Sequence, residues 1–200
     1  MKKSRGNDYI EVAMTKQEMI DLYVETNDFH EVKRQSGLPP YLVHIILTQA
    51  GVLKIQDKIQ YGNKSQKLGG EAEALFQKLV PEAIDANRQF QKNNPVYDFV
   101  YRKLTIDVKY SSARVDKRYQ TSKFSWHIRV AGDQDIIVAF LEREKGTELN
   151  DPYILLIPMN FVDVEKDLHI SKSGVWFNEF KIKADDLEMI LDSYAGLLEE

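Results

Sequence analysis

From Val96 to Lys109 the side chains alternate in character so regularly that they specify a two-stranded hairpin with one apolar and one charged face. A turn centred on Arg102 and Lys103 sets Tyr97 opposite Val108, Phe99 opposite Ile106 and Tyr101 beside Leu104. On the other face Asp98 lies across from Asp107, with Cβ atoms roughly 5 Å apart, and Lys109 follows about 6–7 Å along the strand. Carboxylates held that close repel one another. A folded sheet tolerates them best when a cation, either a metal or a lysine, sits between them.

Two aspartates with a lysine two positions after the second suit hydrolysis of a phosphodiester. Their hard oxygen ligands bind Mg²⁺, with Mn²⁺ as an expected substitute, and leave water and substrate phosphate to complete an octahedron. The metal polarises the phosphate and acidifies a bound water, while Lys109 orients that water or stabilises developing charge. The competing reading is a solvated hairpin face with an ordinary surface ion pair, worth little energetically.

The pattern Asp98…Asp107-Val108-Lys109 resembles the motif of the PD-(D/E)xK nuclease superfamily, which includes restriction endonucleases and Holliday-junction resolvases. Upstream, Ala72, Phe76, Leu79 and Val80 form one helical stripe, with Glu73 beside it near the amino end. Taking Glu71 as the inward acid would bring Gln77 and Lys78 into the core, so Glu73 is the candidate for the helix-borne acid that the resemblance implies. It would bind metal through water or position the nucleophile. Downstream, 126–130, 135–140 and 153–158 read as successive strands, the last two almost wholly apolar and therefore buried on both faces. The resemblance covers roughly residues 67 to 158. Asp107 stands where a glutamate is often found, and Pro95 lies three residues before Asp98. It implies an α/β domain at 63–200, a restriction-endonuclease-like mixed central sheet flanked by helices.

The chain has 200 residues with 43% hydrophobic content and can bury a substantial core. It has no cysteine, which excludes disulfides and thiolate chemistry, and only four histidines. No apolar run is long enough to span a bilayer and the amino terminus lacks a secretory pattern, so no membrane partner and a cytoplasmic location are expected. The net charge of −4 is unevenly spread. Residues 101–130 carry 8 basic and 2 acidic groups, whereas 131–200 carry 6 and 16. The basic segment begins in the candidate hairpin, which makes Arg114, Lys117, Arg118, Lys123 and Arg129 candidate contacts to DNA phosphates.

Residues 1–62 are expected to form a small all-α domain. Thr15 to Glu18 is a capping box for a first helix using Met19, Ile20, Leu22 and Tyr23, Asp28 caps a second that stops at Gly37, and Leu38-Pro-Pro opens a third. The arrangement resembles a helix-turn-helix, with Leu38, Val43, Ile46 and Leu47 inward. Tyr41, His44, Ile45, Thr48 and Gln49 would then face a DNA groove. Little charge lies on that face, so a docking or dimer bundle is the alternative. Residues 52–55 and 59–61 suggest a hairpin or wing, and 62–67 a polar linker. Near the carboxy terminus, 173–180 suggests a strand or aromatic cover. Residues 185–198 read as an amphipathic helix using Leu187, Ile190, Leu191, Tyr194, Leu197 and Leu198.

The expectation is a Mg²⁺-dependent DNA endonuclease acting site-specifically, as type II restriction enzymes do. Cutting both strands of a duplex calls for two sites, hence a homodimer. A phage or mobile-element Holliday-junction-resolvase-like nuclease, and a DNA-binding regulator without chemistry, are the alternatives.

Overall fold

The computed structural model describes residues 14–55, 59, 63–86, 97–115, 124–163 and 166–197. The chain divides into two compact units, one ending at Leu53 and the other starting at Lys54, earlier than the boundary at residue 62 expected from composition.

The first unit holds three mutually packed helices, α1 (Lys16–Thr26), α2 (Phe29–Ser36) and α3 (Pro40–Gln49). Thr15 and Glu18 form the expected capping box, and the Asp28 carboxylate accepts the N–H groups of His30 and Glu31 at 2.8 and 3.2 Å. Gly37 ends α2 at φ 65°, a left-handed turn that costs glycine little. Met19, Tyr23, Phe29, Val32, Val43 and Leu47 fill the centre. Among the described residues 52–55 and 59 there is no strand of the expected hairpin or wing, and Ile55 and Ile59 have helical backbone; Gln60 and Tyr61 lie outside the described residues.

The second unit is mixed α/β. It begins with α4 (Lys64–Leu79), capped by Asn63 through a capping box with Gln66. Lys64 to Lys67 are thus the first helical turn and not a linker, because the polar run supplies a cap. Then come β1 (Ile84–Asp85), β2 (Phe99–Tyr101), β3 (Leu104–Ser111), β4 (Arg114–Val115), β5 (Phe124–Arg129), β6 (Ile136–Leu141), β7 (Tyr153–Pro158), β8 (Asp167–Ser171), α5 (Val175–Phe180), β9 (Lys181–Ile182) and α6 (Leu187–Leu197). The central sheet runs β1-β2-β3-β6-β7-β9; only the β3–β6 pair is parallel. At the start of that pair the Asp135 carboxylate accepts from the Thr105 N–H and hydroxyl at 2.8 and 2.7 Å, locking the two strands in register.

Both faces of β6 are covered, as its apolar sequence demands. Ile136, Val138 and Phe140 join Ala72 and Phe76 of α4 and Leu187, Leu191 and Ala195 of α6. Ile137, Ala139 and Leu141 meet Trp126, Ile128, Leu168 and Ile170. Those last four residues belong to a second sheet, β4-β5-β8. The strand around Trp126 therefore leaves the central series in which sequence order had placed it. Its alternation explains why: Trp126 and Ile128 are buried while Ser125, His127 and Arg129 are not, so one side stays wet.

Within the 173–180 segment Val175–Phe180 form a helix and not a strand, although the aromatics do act as a cover: the Phe177 ring stacks on Trp126 with centroids 5.5 Å apart. In α6 the inward stripe is as expected up to Tyr194, but Leu197 is exposed and Ala195 takes the buried place; Leu198 lies outside the described residues. Among the described residues no helix is long and apolar enough to cross a membrane.

Candidate active site

The hairpin closes as its alternation requires. Arg102 takes the left-handed conformation (φ 53°) in the turn, and Tyr101 pairs with Leu104 and Phe99 with Ile106. The ladder does not continue to the expected facing pair of Asp98 with Asp107, nor to Tyr97 with Val108. Instead the Asp98 N–H reaches the Ile106 carbonyl at 2.9 Å, so Asp98 and Phe99 both address Ile106 in a bulge-like bend. The bend re-aims Asp98. One of its carboxylate oxygens accepts the Val108 N–H at 2.9 Å, and the carboxyl group comes to lie against that of Asp107.

Phe99, Ile106 and Val108 belong to the core under α4, so alternation sends Asp107 and Lys109 to the opposite face of β3. Asp107 is only 3% exposed. Its two oxygens lie 2.8 and 2.7 Å from the Lys109 ammonium, the first in an aligned hydrogen bond and the second only in ionic contact. Burial pushes the Asp107 carboxyl up to about 7, with the Asp98 charge adding and Lys109 opposing. Lys109 keeps about a third of its side chain exposed.

Glu73 is buried, as chosen over the exposed Glu71. However, α4 covers the face of Ile106 and Val108, and among the described residues no group of three or more acid, histidine or cysteine side chains is placed to hold a metal ion. The structure thus brings together Asp98, Asp107 and Lys109. A two-carboxylate set still suits Mg²⁺, which typically takes one or two carboxylates and fills its remaining positions with water and phosphate. Sequence reasoning passed over Asp85, a buried acid in β1 paired in register with Phe99. An acid flanked by Ile84 and Ala86 was the available signal.

Of the basic candidates, Arg114 and Arg129 are exposed on the second sheet; Lys117, Arg118 and Lys123 lie outside the described residues. In the helical unit, Tyr41 (64%) and Ile45 (45%) are exposed one helical turn apart, and Gln49 continues their row. Thr48 is partly buried. His44, expected to face outward, is buried at 7%. The inward stripe of α3 takes in Val43, His44 and Leu47, and is wider than the sequence reading allowed.

No protein-family model matches the chain, and no curated protein matches it. Among solved structures it is similar to that of a bacterial homing endonuclease, with a TM-score of 0.44 and 15% identity, covering 68% of this chain and 98% of the other.

Proposed function

We propose that this protein is a divalent-metal-dependent DNA endonuclease whose reaction centre is formed by Asp98, Asp107 and Lys109. The observation that carries the reading is the buried carboxyl of Asp107, pressed against a second carboxyl and fixed at both oxygens by a lysine that still reaches solvent. A structural ion pair has no need of the second acid, which raises the cost of the first.

Asp98 and Asp107 would hold Mg²⁺ or Mn²⁺, and the bound ion would supply charge for the phosphate and an acidified water. Lys109 holds the Asp107 carboxylate in place, and with its side chain partly exposed its remaining N–H groups would orient water or stabilise charge on a phosphate oxygen. Metal binding requires Asp107 to be ionised, so affinity rises with pH through the range in which Asp107 gives up its proton.

The three-helix unit is proposed as the DNA-positioning element, a helix-turn-helix presenting Tyr41, Ile45 and Gln49, with type II restriction-like site selection as its purpose. Duplex cleavage would then use two copies of the chain.

Lys109→Ala is expected to lower the rate of plasmid cleavage in Mg²⁺ by about 10²–10³-fold, with EDTA abolishing cleavage by the unaltered protein. Intact supercoiled, branched and single-stranded DNA under all conditions would sink the enzyme reading and leave a DNA-binding regulator. The double variant Tyr41→Ala/Gln49→Ala is expected to weaken DNA binding at least tenfold in a fluorescence anisotropy titration. An unchanged affinity and cut position would make the helical unit a docking or dimer element.

A further inference from the structure

Two residues beyond Lys109, β3 ends at Ser111, and there the second unit has a polar pocket of about 470 Å³. Lys64, Ser65, Tyr110, Ser112, Arg114 and His127 contribute to its wall. We propose that this pocket seats a backbone phosphate of the nucleic acid next to the one that is cut, and so sets the position of the strand over Lys109. The inference rests on the nuclease reading and adds a binding site to it.

Four observations support it. First, the pocket wall is fixed to the strand that carries Lys109: the Ser111 hydroxyl donates to the His127 carbonyl at 2.9 Å and accepts the His127 N–H at 3.1 Å. Ser111 and Lys109 share one face of β3, about 6–7 Å apart along the strand. Second, Arg114 and Lys64 bring two cations from different elements.

Third, Lys64 and Ser65 are the first helical residues of α4, a 16-residue helix whose positive end favours an anion. Its capping box uses the N–H groups of Asn63 and Gln66, so those of Lys64 and Ser65 are not consumed by it. Fourth, the Tyr110 hydroxyl is buried and makes no aligned hydrogen bond, although Ser112 lies near enough to offset part of the upward push of burial on its pKa. A buried donor without an acceptor is costly, and a phosphate oxygen would supply one.

Acidic groups also border this region and decide how the pocket opens. Glu142 is already taken by the N–H groups of Ala113, Gly146 and Glu148, at 2.7, 2.7 and 3.0 Å. Glu71 and Glu148 act on Tyr110 electrostatically. Glu148 holds the Lys64 ammonium at 3.0 Å in an exposed ion pair, and an incoming phosphate must displace it. His127 is kept below its ordinary pKa by burial, then by Arg114 and His169, with Asp167 opposing.

The test measures binding of the full-length chain to a fluorescent duplex oligonucleotide in EDTA, across a salt series. Arg114→Ala should weaken binding about tenfold and reduce the slope of log affinity against log salt by about 1. Tyr110→Phe, which keeps the ring and removes only the hydroxyl, should weaken it about threefold. Glu148→Gln should strengthen it severalfold by freeing Lys64, and inorganic phosphate should compete with the oligonucleotide less well in Arg114→Ala. Unchanged affinity and salt slope in all three variants overturns the pocket, while Mg²⁺-dependent cleavage by the unaltered chain keeps the nuclease reading. Phosphate competition that survives with no change in oligonucleotide affinity also overturns it, since the pocket would then hold free phosphate only. Altered binding in a chain that never cuts DNA removes the nuclease reading and with it the claim that the seated phosphate adjoins a scissile one.

Discussion

Asp107→Asn is expected to yield a protein that is more stable at neutral pH and at least about 10³-fold slower at cutting DNA. The gain follows from the cost of ionising Asp107 inside the fold. Its carboxyl is buried, lies against Asp98 and has its pKa pushed up to about 7. In the unfolded chain the same group titrates near 3.8. The folded state thus binds the proton more tightly. Below the unfolded value there is no penalty, stability falls as pH rises from about 4 to about 7, and above that the full penalty persists. Asparagine has the shape of the protonated acid and can donate to Asp98 as that acid does, with no charge to desolvate. A gain of about 1–3 kcal/mol at pH 8, vanishing toward pH 3, is the expected result in urea titrations at a series of pH values. A flat pH profile for both proteins, or a variant that loses stability at pH 8, would show that Asp107 is an ordinary partner of Lys109. Activity and stability moving in opposite directions at one residue is the mark of a group retained for chemistry.

The largest loss of stability is expected from Trp126→Ala. Trp126 is fully buried, stacks on Phe177 at 5.5 Å with an interplanar angle of 7°, and meets the edge of Tyr153 at 5.9 Å. Its indole N–H donates to the Glu142 carbonyl at 2.9 Å. Truncation leaves a cavity between the two sheets and an unpaired carbonyl, and should cost about 3–5 kcal/mol in the unfolding of the unit that starts at Lys54. Chemical denaturation followed by far-ultraviolet circular dichroism measures it. A loss below about 1 kcal/mol would mean that the second sheet contributes little to this core. Trp126→Phe keeps the stack and should recover more than half of the loss.

What the sequence disclosed depended on how local the determining interaction is. The turn at Arg102, the pairing of Phe99 with Ile106 and the choice of Glu73 over Glu71 all follow from period-2 or period-3.6 alternation within short windows. The capping boxes at Thr15 and Asn63 are equally local, yet the second is ambiguous in sequence, because Gly62 and the polar residues after it also suit a linker. The second sheet was not legible. A strand pattern at 124–129 does not say that its partner is 167–171, and that pairing brings His127 against His169 from far along the chain. The bend at Asp98 escaped for a different reason. Its backbone departs from the ladder because a side chain takes over the Val108 N–H, which no alternation rule anticipates.

The short helix α5 is six residues long, too few for a periodic signal. His44 lies about 60° around α3 from the buried Leu47, at the margin of a stripe that the apolar residues alone do not mark. Such a position turns a buried imidazole into an apparent groove contact.

β3 is hydrogen-bonded to β6 from Ile106 to Ser111 and to β2 as far as Ile106, so Asp107 and Lys109 sit on a paired strand and not on a loop. Backbone so placed opens only with the unit as a whole. For the proposed endonuclease, accommodation between protein and nucleic acid would then fall on the double helix, and the ease with which a given base sequence bends or untwists would select targets at positions no side chain touches.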